Sequence, residues 1–322
     1  MNVDKGYVEA PIDKSLDLKE EILRLKKEKN AVILAHYYTV GEIQDIADFI
    51  GDSLALAQIA ERLDNDIIVM CGVHFMGETV KILCPDKKVL VPDLNAGCSL
   101  ADSCPAPELE KFIAAHPDHT VISYVNTSAA VKALTDIVVT SGNAMKIINS
   151  LPADEKIIFG PDRNLGNYIN SETGREMLLW DGACHVHEQF SLEKILELKK
   201  QHPEAKVLVH PECPKPIRLV ADKVGSTAVL LKWATESPFD EFIVATESGI
   251  LHEMRKKCPG KSFIPAPPND STCACNDCAF MKLNTLGKLY NTLRYELPEV
   301  NVDESIIDRA RQPITRMLEL SK

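Results

Sequence analysis

Residues 32–38, Val-Ile-Leu-Ala-His-Tyr-Tyr, decide the fold, because the chain repeats their design twice more. A β-type apolar run ends in two polar side chains two positions apart, His36 and Tyr38. The run VISYVNT (residues 121–127) ends likewise in Tyr124 and Asn126, and VLVHPEC (207–213) in His210 and Glu212. The leading members of these pairs lie 88 and then 86 positions apart, and 17 positions beyond each stands a hydroxyl: Ser53, Ser141 and Thr227. Each hydroxyl opens a helical pattern, in GDSLALAQIAERL, TSGNAMKIINSL and KVGSTAVLLKWATES. A second β-type run follows in every unit, at DIIVMCG, KIIFG and EFIVATESG, with a glycine placed before another helix at Gly77, Gly166 and Gly249.

Strand, helix, strand, helix thus recurs three times, at a period well beyond the roughly 20–50 residues of solenoids. Parallel strands deliver their following loops to one edge of a sheet, where ligand groups gather. The expectation is an α/β protein of three pseudo-symmetric βαβα domains with parallel sheets around a central active-site cleft. Its parts are residues 1–105 with an N-terminal helix, 106–190, 191–272, and a cysteine loop with C-terminal helices over 273–322. Of those helices, the one spanning ESIIDRARQPITRMLEL is expected to kink or break at Pro313.

With 322 residues, 45% of them hydrophobic, the chain can bury real cores. A formal net charge of −11 argues against nucleic acid or an anionic membrane surface as partner. The N-terminal MNVDKGYVEAPIDKS carries no basic-then-apolar signal, and no apolar run approaches the roughly 20 residues of a membrane span, so the expected location is cytoplasmic. Ten cysteines in such a chain point to reduced thiols used for metal ligation or catalysis.

The hydroxyls invite an anion reading. A Ser or Thr at a helix start is ordinarily a cap. Three in register, with Ser226 beside Thr227, place helix N-termini around one centre, and these bind anions without Lys or Arg. A phosphorylated small molecule together with a dicarboxylate fits such a centre. The strand-end pairs supply chemistry: residues i and i+2 of a strand share a face, His36 and His210 donate to oxyanions or shuttle protons, Tyr38 and Tyr124 give a proton or orient a carbonyl, and Glu212 is the general base.

Among the thiols, Cys84 in VKILCPDKKVLVPD and Cys184 in LLWDGACHVHEQF have settings that invite ligation. A third comes from Cys258 or from the cluster Cys273, Cys275 and Cys278. Three thiolates from three repeats would hold an iron-sulfur cluster with one open iron. A tetrahedral zinc site using Cys184, His185, His187 and the CACNDC thiols is the alternative. Cys71, Cys98, Cys104 and Cys213 read as core or loop residues.

From AHYYTVGEIQDIADFIGDSLALA through GVHFMGETVKIL, YVNT, SGNA, FGPDRNLG, HPEC, GST and ATESGILHEM to CAFMK, the sequence resembles quinolinate synthase, the A protein of bacterial NAD biosynthesis. The resemblance implies a 4Fe-4S cluster held by one cysteine per domain, corresponding to Cys84, Cys184 and Cys278. It implies condensation of iminoaspartate with dihydroxyacetone phosphate to quinolinate, phosphate and water, the cluster acting as a Lewis acid without net redox change. L-aspartate oxidase is the implied upstream enzyme. The implied site comprises His36, Tyr38, Ser53, Tyr124, Asn126, Ser141, His210, Glu212, Ser226, Thr227 and Met281, with Glu212 and Tyr38 in proton transfer. Internal symmetry prefers Cys258 to Cys278, since Cys258-Pro259 lies as far beyond His210 as Cys84-Pro85 lies beyond His36, 48 positions. A C-x-C spacing at Cys273 and Cys275 weakens transfer of any disulfide switch. A non-redox dehydratase for another carboxylate, a metabolite-binding iron sensor and a zinc-stabilised binding module are the rival readings.

Overall fold

A computed structural model describes residues 3–270 and 277–322. Cys273 and Cys275 lie outside the described residues. Among the described residues, twelve short strands form three four-stranded sheets. The first holds β1 (Ala31–His36), β2 (Phe49–Gly51), β3 (Ile67–Cys71) and β4 (Lys88–Leu90). The second holds β5 (Thr120–Tyr124), β6 (Ile137–Val139), β7 (Ile157–Gly160) and β8 (Leu178–Leu179). The third holds β9 (Lys206–Val209), β10 (Lys223–Val224), β11 (Glu241–Ala245) and β12 (Ser262–Pro265). Every strand pairing within the sheets is parallel, and each sheet runs second, first, third, fourth strand.

The strands read as unbroken apolar runs because both faces are covered. Along β1, Val32 and Leu34 enter one core while Ala31, Ile33 and Ala35 enter another, as a period of two requires. The first of these cores also receives Ile122 and Tyr124 of β5, so it joins two sheets. The N-terminal helix Leu18–Glu28, capped by Asp17, buries Ile22 and Leu25 in the other core with Leu289 and Leu293 of helix Leu286–Tyr295.

The repeat extends to individual hydrogen bonds. Asp48, Asp136 and Asp222 each accept from the backbone of the first strand of their sheet, at Ile33, Val121 and Val207, at 2.8 Å every time. Each also donates its own N–H to the carbonyl of that strand residue, at 2.9 Å.

Two expectations change here. Gly77 and Gly166 lie inside helices His74–Leu83 and Arg163–Thr173 instead of before them, and Gly249 alone stands at a helix start. A Cβ on Gly77 would come within 2.9 Å of Val91 and Val300, and one on Gly166 within 2.6 Å of Leu179. The glycines serve close approach, not a turn. Helix Glu304–Leu320 also runs unbroken through Pro313. Proline removes one ladder bond there, while Ala310, Ile314 and Met317 bury their face in the shared core. The preceding segment divides at Asn284, whose amide donates to the carbonyls of Gly72 and Met281, into a short turn at Met281–Leu283 and helix Leu286–Tyr295.

Candidate active site

The C-terminal ends of β1, β5 and β9 deliver His36 with Tyr38, Tyr124 with Asn126, and His210 with Glu212 into one cavity. Its empty space, with the solvent at its open mouth included, is about 740 Å³. Ser53, Ser141, Thr227, Cys184, Cys278 and Met281 line the same space. The three polar pairs, brought from positions nearly ninety residues apart, therefore share a single site.

Local turn geometry fixes the imidazoles. The backbone N–H of Tyr38 donates to His36 Nδ1 at 3.2 Å, and the N–H of Glu212 donates to His210 Nδ1 at 3.4 Å. With Nδ1 accepting, the proton sits on Nε2 in both rings. Burial pushes both down to about 3; the charge of Lys282 adds to this for His36, whereas Glu212 opposes it for both. At neutral pH they are uncharged hydrogen-bond donors, which supports the oxyanion-donor reading and disfavours proton shuttling by these rings.

Burial by itself would raise the Glu212 carboxyl. The imidazoles of His187 and His210, with hydrogen bonds from His187 and Tyr124, outweigh it and bring the group down to about 2. Tyr124 donates its hydroxyl to Glu212 Oε1 at 2.5 Å, and His187 Nδ1 lies 3.1 Å from Oε2. Tyr38 bonds Thr227 at 2.6 Å and Thr246 at 2.8 Å. Burial holds both tyrosines well above their ordinary value, so each keeps its proton.

Sequence reasoning missed the groups that brace these residues. His187, left only in the zinc alternative, stacks on His210 at 4.5 Å and reaches Cys184, Glu212 and Thr246. Beneath the strand-end turns, one side chain in each repeat donates to turn carbonyls: Gln44 to Tyr37 and Thr39, Lys132 to Val125 and Thr127, Arg218 to Cys213. All three stand eight positions beyond the leading residue of the pair, a spacing that could have found them. Two buried carboxylates hold the cysteine loops. Asp162 accepts from the N–H of Cys184 at 3.2 Å, and Glu247, paired with Lys282 at 2.8 Å, accepts from the N–H of Cys278 at 3.0 Å.

Two helices begin at the expected hydroxyls, Ser53 and Thr227, and the third begins beyond Ser141. Asp52 caps the helix that Ser53 begins, Ser226 caps the one that Thr227 begins, and Ser141 precedes a helix whose N-cap is Asn143. Ser53 and Thr227 are thereby free of capping duty and line the cavity. Ser226 does not line it, because its hydroxyl is turned back to Val229 N. Among the described residues no Lys or Arg lines the cavity, so negative groups there would meet neutral N–H and O–H donors.

Cys84 is not brought to the site. It ends helix His74–Leu83, and its thiol donates to the carbonyl of Ala60 inside the shared core. Because that helix runs back against its parallel strands, Cys84 belongs to the opposite edge of the sheet. Cys98, read as a core or loop residue, lines the cavity with Cys184 and Cys278. Contacts between their neighbours knit the three together: Ser99 bonds His185 at 2.6 Å, and the His185 and Phe280 rings stand 6.1 Å apart. Burial pushes the Cys98 thiol up to about 12, with the Cys278 charge adding, and Cys184 is raised by burial, Glu212 and Cys98. Cys258 ends helix Ile250–Lys257, buried in a separate core. Three half-buried thiols that resist ionisation, lining one cavity, match a donor set that a metal centre would deprotonate on binding.

Comparison with known proteins agrees with this architecture. The family described as NadA, quinolinate synthetase A protein, matches residues 20–319. The curated quinolinate synthase of Nostoc punctiforme is 58% identical over 306 residues, covering 95% of this chain and 94% of its own. That of Synechococcus sp. is 55% identical over 309 residues, covering 96% and 97%. That of Chloroherpeton thalassium is 55% identical over 307 residues, covering 95% of each. The chain belongs to the quinolinate synthetase A protein family.

Proposed function

We propose that this protein is a quinolinate synthase that condenses iminoaspartate with dihydroxyacetone phosphate, releasing phosphate and water, in NAD biosynthesis. The observation that carries the reading is the convergence, in one cavity, of three register-matched polar pairs and three thiols from the loops after the fourth strands. The relatives' printed name supplies the product.

Cys98, Cys184 and Cys278 are the residues that would hold a 4Fe-4S cluster, with Cys98 replacing the expected Cys84. Such a cluster, having one iron without a protein thiolate, supplies a Lewis acid toward substrate oxygen or nitrogen. The chain's own groups divide the remaining work. His36 and His210 present Nε2–H donors to carbonyl or carboxylate oxygens. Thr227 and Ser53, at the first turns of their helices, add hydroxyls and free backbone N–H groups for the phosphate or carboxylates, with Ser141 and Asn126 beside them. Glu212 accepts the proton released during condensation, and Tyr124, bonded to it, holds its orientation. Tyr38, protonated and wired to Thr227 and Thr246, is the proton donor to the departing oxygen. Met281 closes the apolar side. L-aspartate oxidase is the class of enzyme that would furnish the iminoaspartate. Among the described residues no helix is long and apolar enough to cross a membrane, and the acidic balance offers no basic surface for nucleic acid.

The test is an anaerobic assay of cluster-loaded protein with both substrates, detecting quinolinate by mass. Quinolinate should form, and Glu212→Gln should slow it by about 10²–10⁴. Loss of substrate phosphate with no quinolinate would overturn the reading in favour of another dehydration.

A further inference from the structure

We propose that cluster-free protein binds a single zinc-type divalent cation through Cys184 Sγ, His187 Nδ1 and Glu212 Oε2, and that this ion and the iron-sulfur cluster exclude one another. The exclusion rests on the proposed cluster ligands, since both centres require Cys184; the cation site itself does not.

The three ligand atoms lie within 4.8 Å of one another. His187 Nδ1 is 3.2 Å from the thiol and 3.1 Å from the carboxylate. Tetrahedral zinc, with bonds of about 2.0–2.3 Å, sets its ligand atoms roughly 3.3–3.6 Å apart, so small side-chain rotations close the site. Sulfur, imidazole and carboxylate together form a zinc or cobalt donor set, unlike the all-oxygen shells of magnesium and calcium. Two negative ligands balance the ion's charge, which matters where His187 and Glu212 are only 2% and 3% exposed.

An independent feature is the outer shell. His187 Nε2 meets Thr246 Oγ1 at 3.0 Å, and that hydroxyl also meets Tyr38 at 2.8 Å. Thr246 can donate to Nε2 while Nδ1 carries the proton, or accept from Nε2–H once Nδ1 holds a metal. The hydroxyl thus serves both tautomers, and metal-bound imidazoles ordinarily have such a partner. Tyr124 keeps its bond to the other oxygen of Glu212. Binding releases the Cys184 thiol proton to solvent, while the imidazole proton moves from Nδ1 to Nε2. All three ligand residues line the cavity, from which a fourth ligand would come.

Cobalt(II) titration of anaerobic, cluster-free protein tests this. One equivalent should give a sulfur-to-cobalt charge-transfer band and be displaced by zinc. Glu212→Gln and His187→Gln should each weaken cobalt at least about tenfold, whereas Cys98→Ser should bind it normally. Cobalt lost in Cys98→Ser and retained in Glu212→Gln would overturn the site and move the ion onto the three thiols. Zinc preloading should block appearance of the cluster's visible absorbance; full cluster uptake with zinc retained would overturn the exclusion. If protein without zinc also fails to build a cluster, the cluster reading falls, and the cobalt titration still decides the cation site.

Discussion

Cys84 and Cys258 occupy matched places in the first and third repeats, whereas Cys98, Cys184 and Cys278 are related by no constant spacing. The matched pair ends corresponding helices with nearly the same backbone, φ −124° and ψ 63° against φ −130° and ψ 66°. Both are buried, and both spend their thiols on neighbouring helices, at Ala60 and Thr235. The unmatched three follow the fourth strand of each sheet, eight, five and thirteen residues past the ends of β4, β8 and β12. They are equivalent in topology but not in count. A spacing survives where strands and helices must pack to a set length; a loop that only has to reach the cleft is free to change length.

The strongest way to break that comparison is to exchange the thiols' fates. Cys98→Ser should abolish the visible absorbance of reconstituted protein and its activity together. Cys84→Ser should keep both while lowering unfolding stability by about 1–2 kcal/mol, the cost of a hydroxyl in an apolar core. The reverse result would return the site to the positions that symmetry favours.

A second measurement concerns repeat positions that do face the cleft. His36 and His210 have folded values near 3, against 6.5 for the free side chain. Below 6.5 the unfolded chain takes up a proton on each ring that the folded chain refuses, so stability falls as pH drops through the window from 6.5 to 3, and neither ring matters above it. Each contributes up to about 1.4 kcal/mol per pH unit. Denaturant unfolding of cluster-free protein at pH 6.5 and pH 5 should show His36→Gln losing about 2 kcal/mol less than the parent. An equal loss would mean that His36 titrates normally. Tyr124, the leading residue of the second repeat, contributes nothing in this range because it stays protonated throughout.

The same division explains what was legible. Three parallel sheets and the residues His36, Tyr38, Tyr124, Asn126, His210 and Glu212 follow from apolar runs at constant spacing, because a strand's length and the helix packed against it leave little freedom. Cys98 was hidden by loop length, and its NAGCSLAD context carries no signal beyond a turn. Glu247 and Asp162 were hidden because the first repeat has Val73, two positions past β3, where the others have carboxylates. There a backbone bond from His74 to Ala96, at 2.6 Å, ties down the cysteine loop instead. The Asp48, Asp136 and Asp222 series was open to the same counting that found the hydroxyls. Ser141 alone misses a helix start, because Asn143 stands at that N-cap.

The smallest effect expected separates two members of the buried donor series. Gln44 gives its amide to the carbonyls of Tyr37, Thr39 and Gly249, and Gln44→Met leaves those buried acceptors short, at a cost of about 2 kcal/mol. Lys132 makes comparable bonds, but its ammonium is fully buried, and burial, opposed by the Glu78 charge, pushes it down to about 8 from 10.5. Holding that charge at neutral pH costs about 3 kcal/mol, close to what the lost bonds would cost. Lys132→Met should therefore change stability at pH 7 by less than about 1 kcal/mol, although it deletes the only charge of the two. Its mark should appear in catalysis, as a raised KM with little change in kcat, because the carbonyls it holds flank Asn126. A loss of several kcal/mol with KM unchanged would make Lys132 a framework residue like the three aspartates, with no part in shaping the cleft.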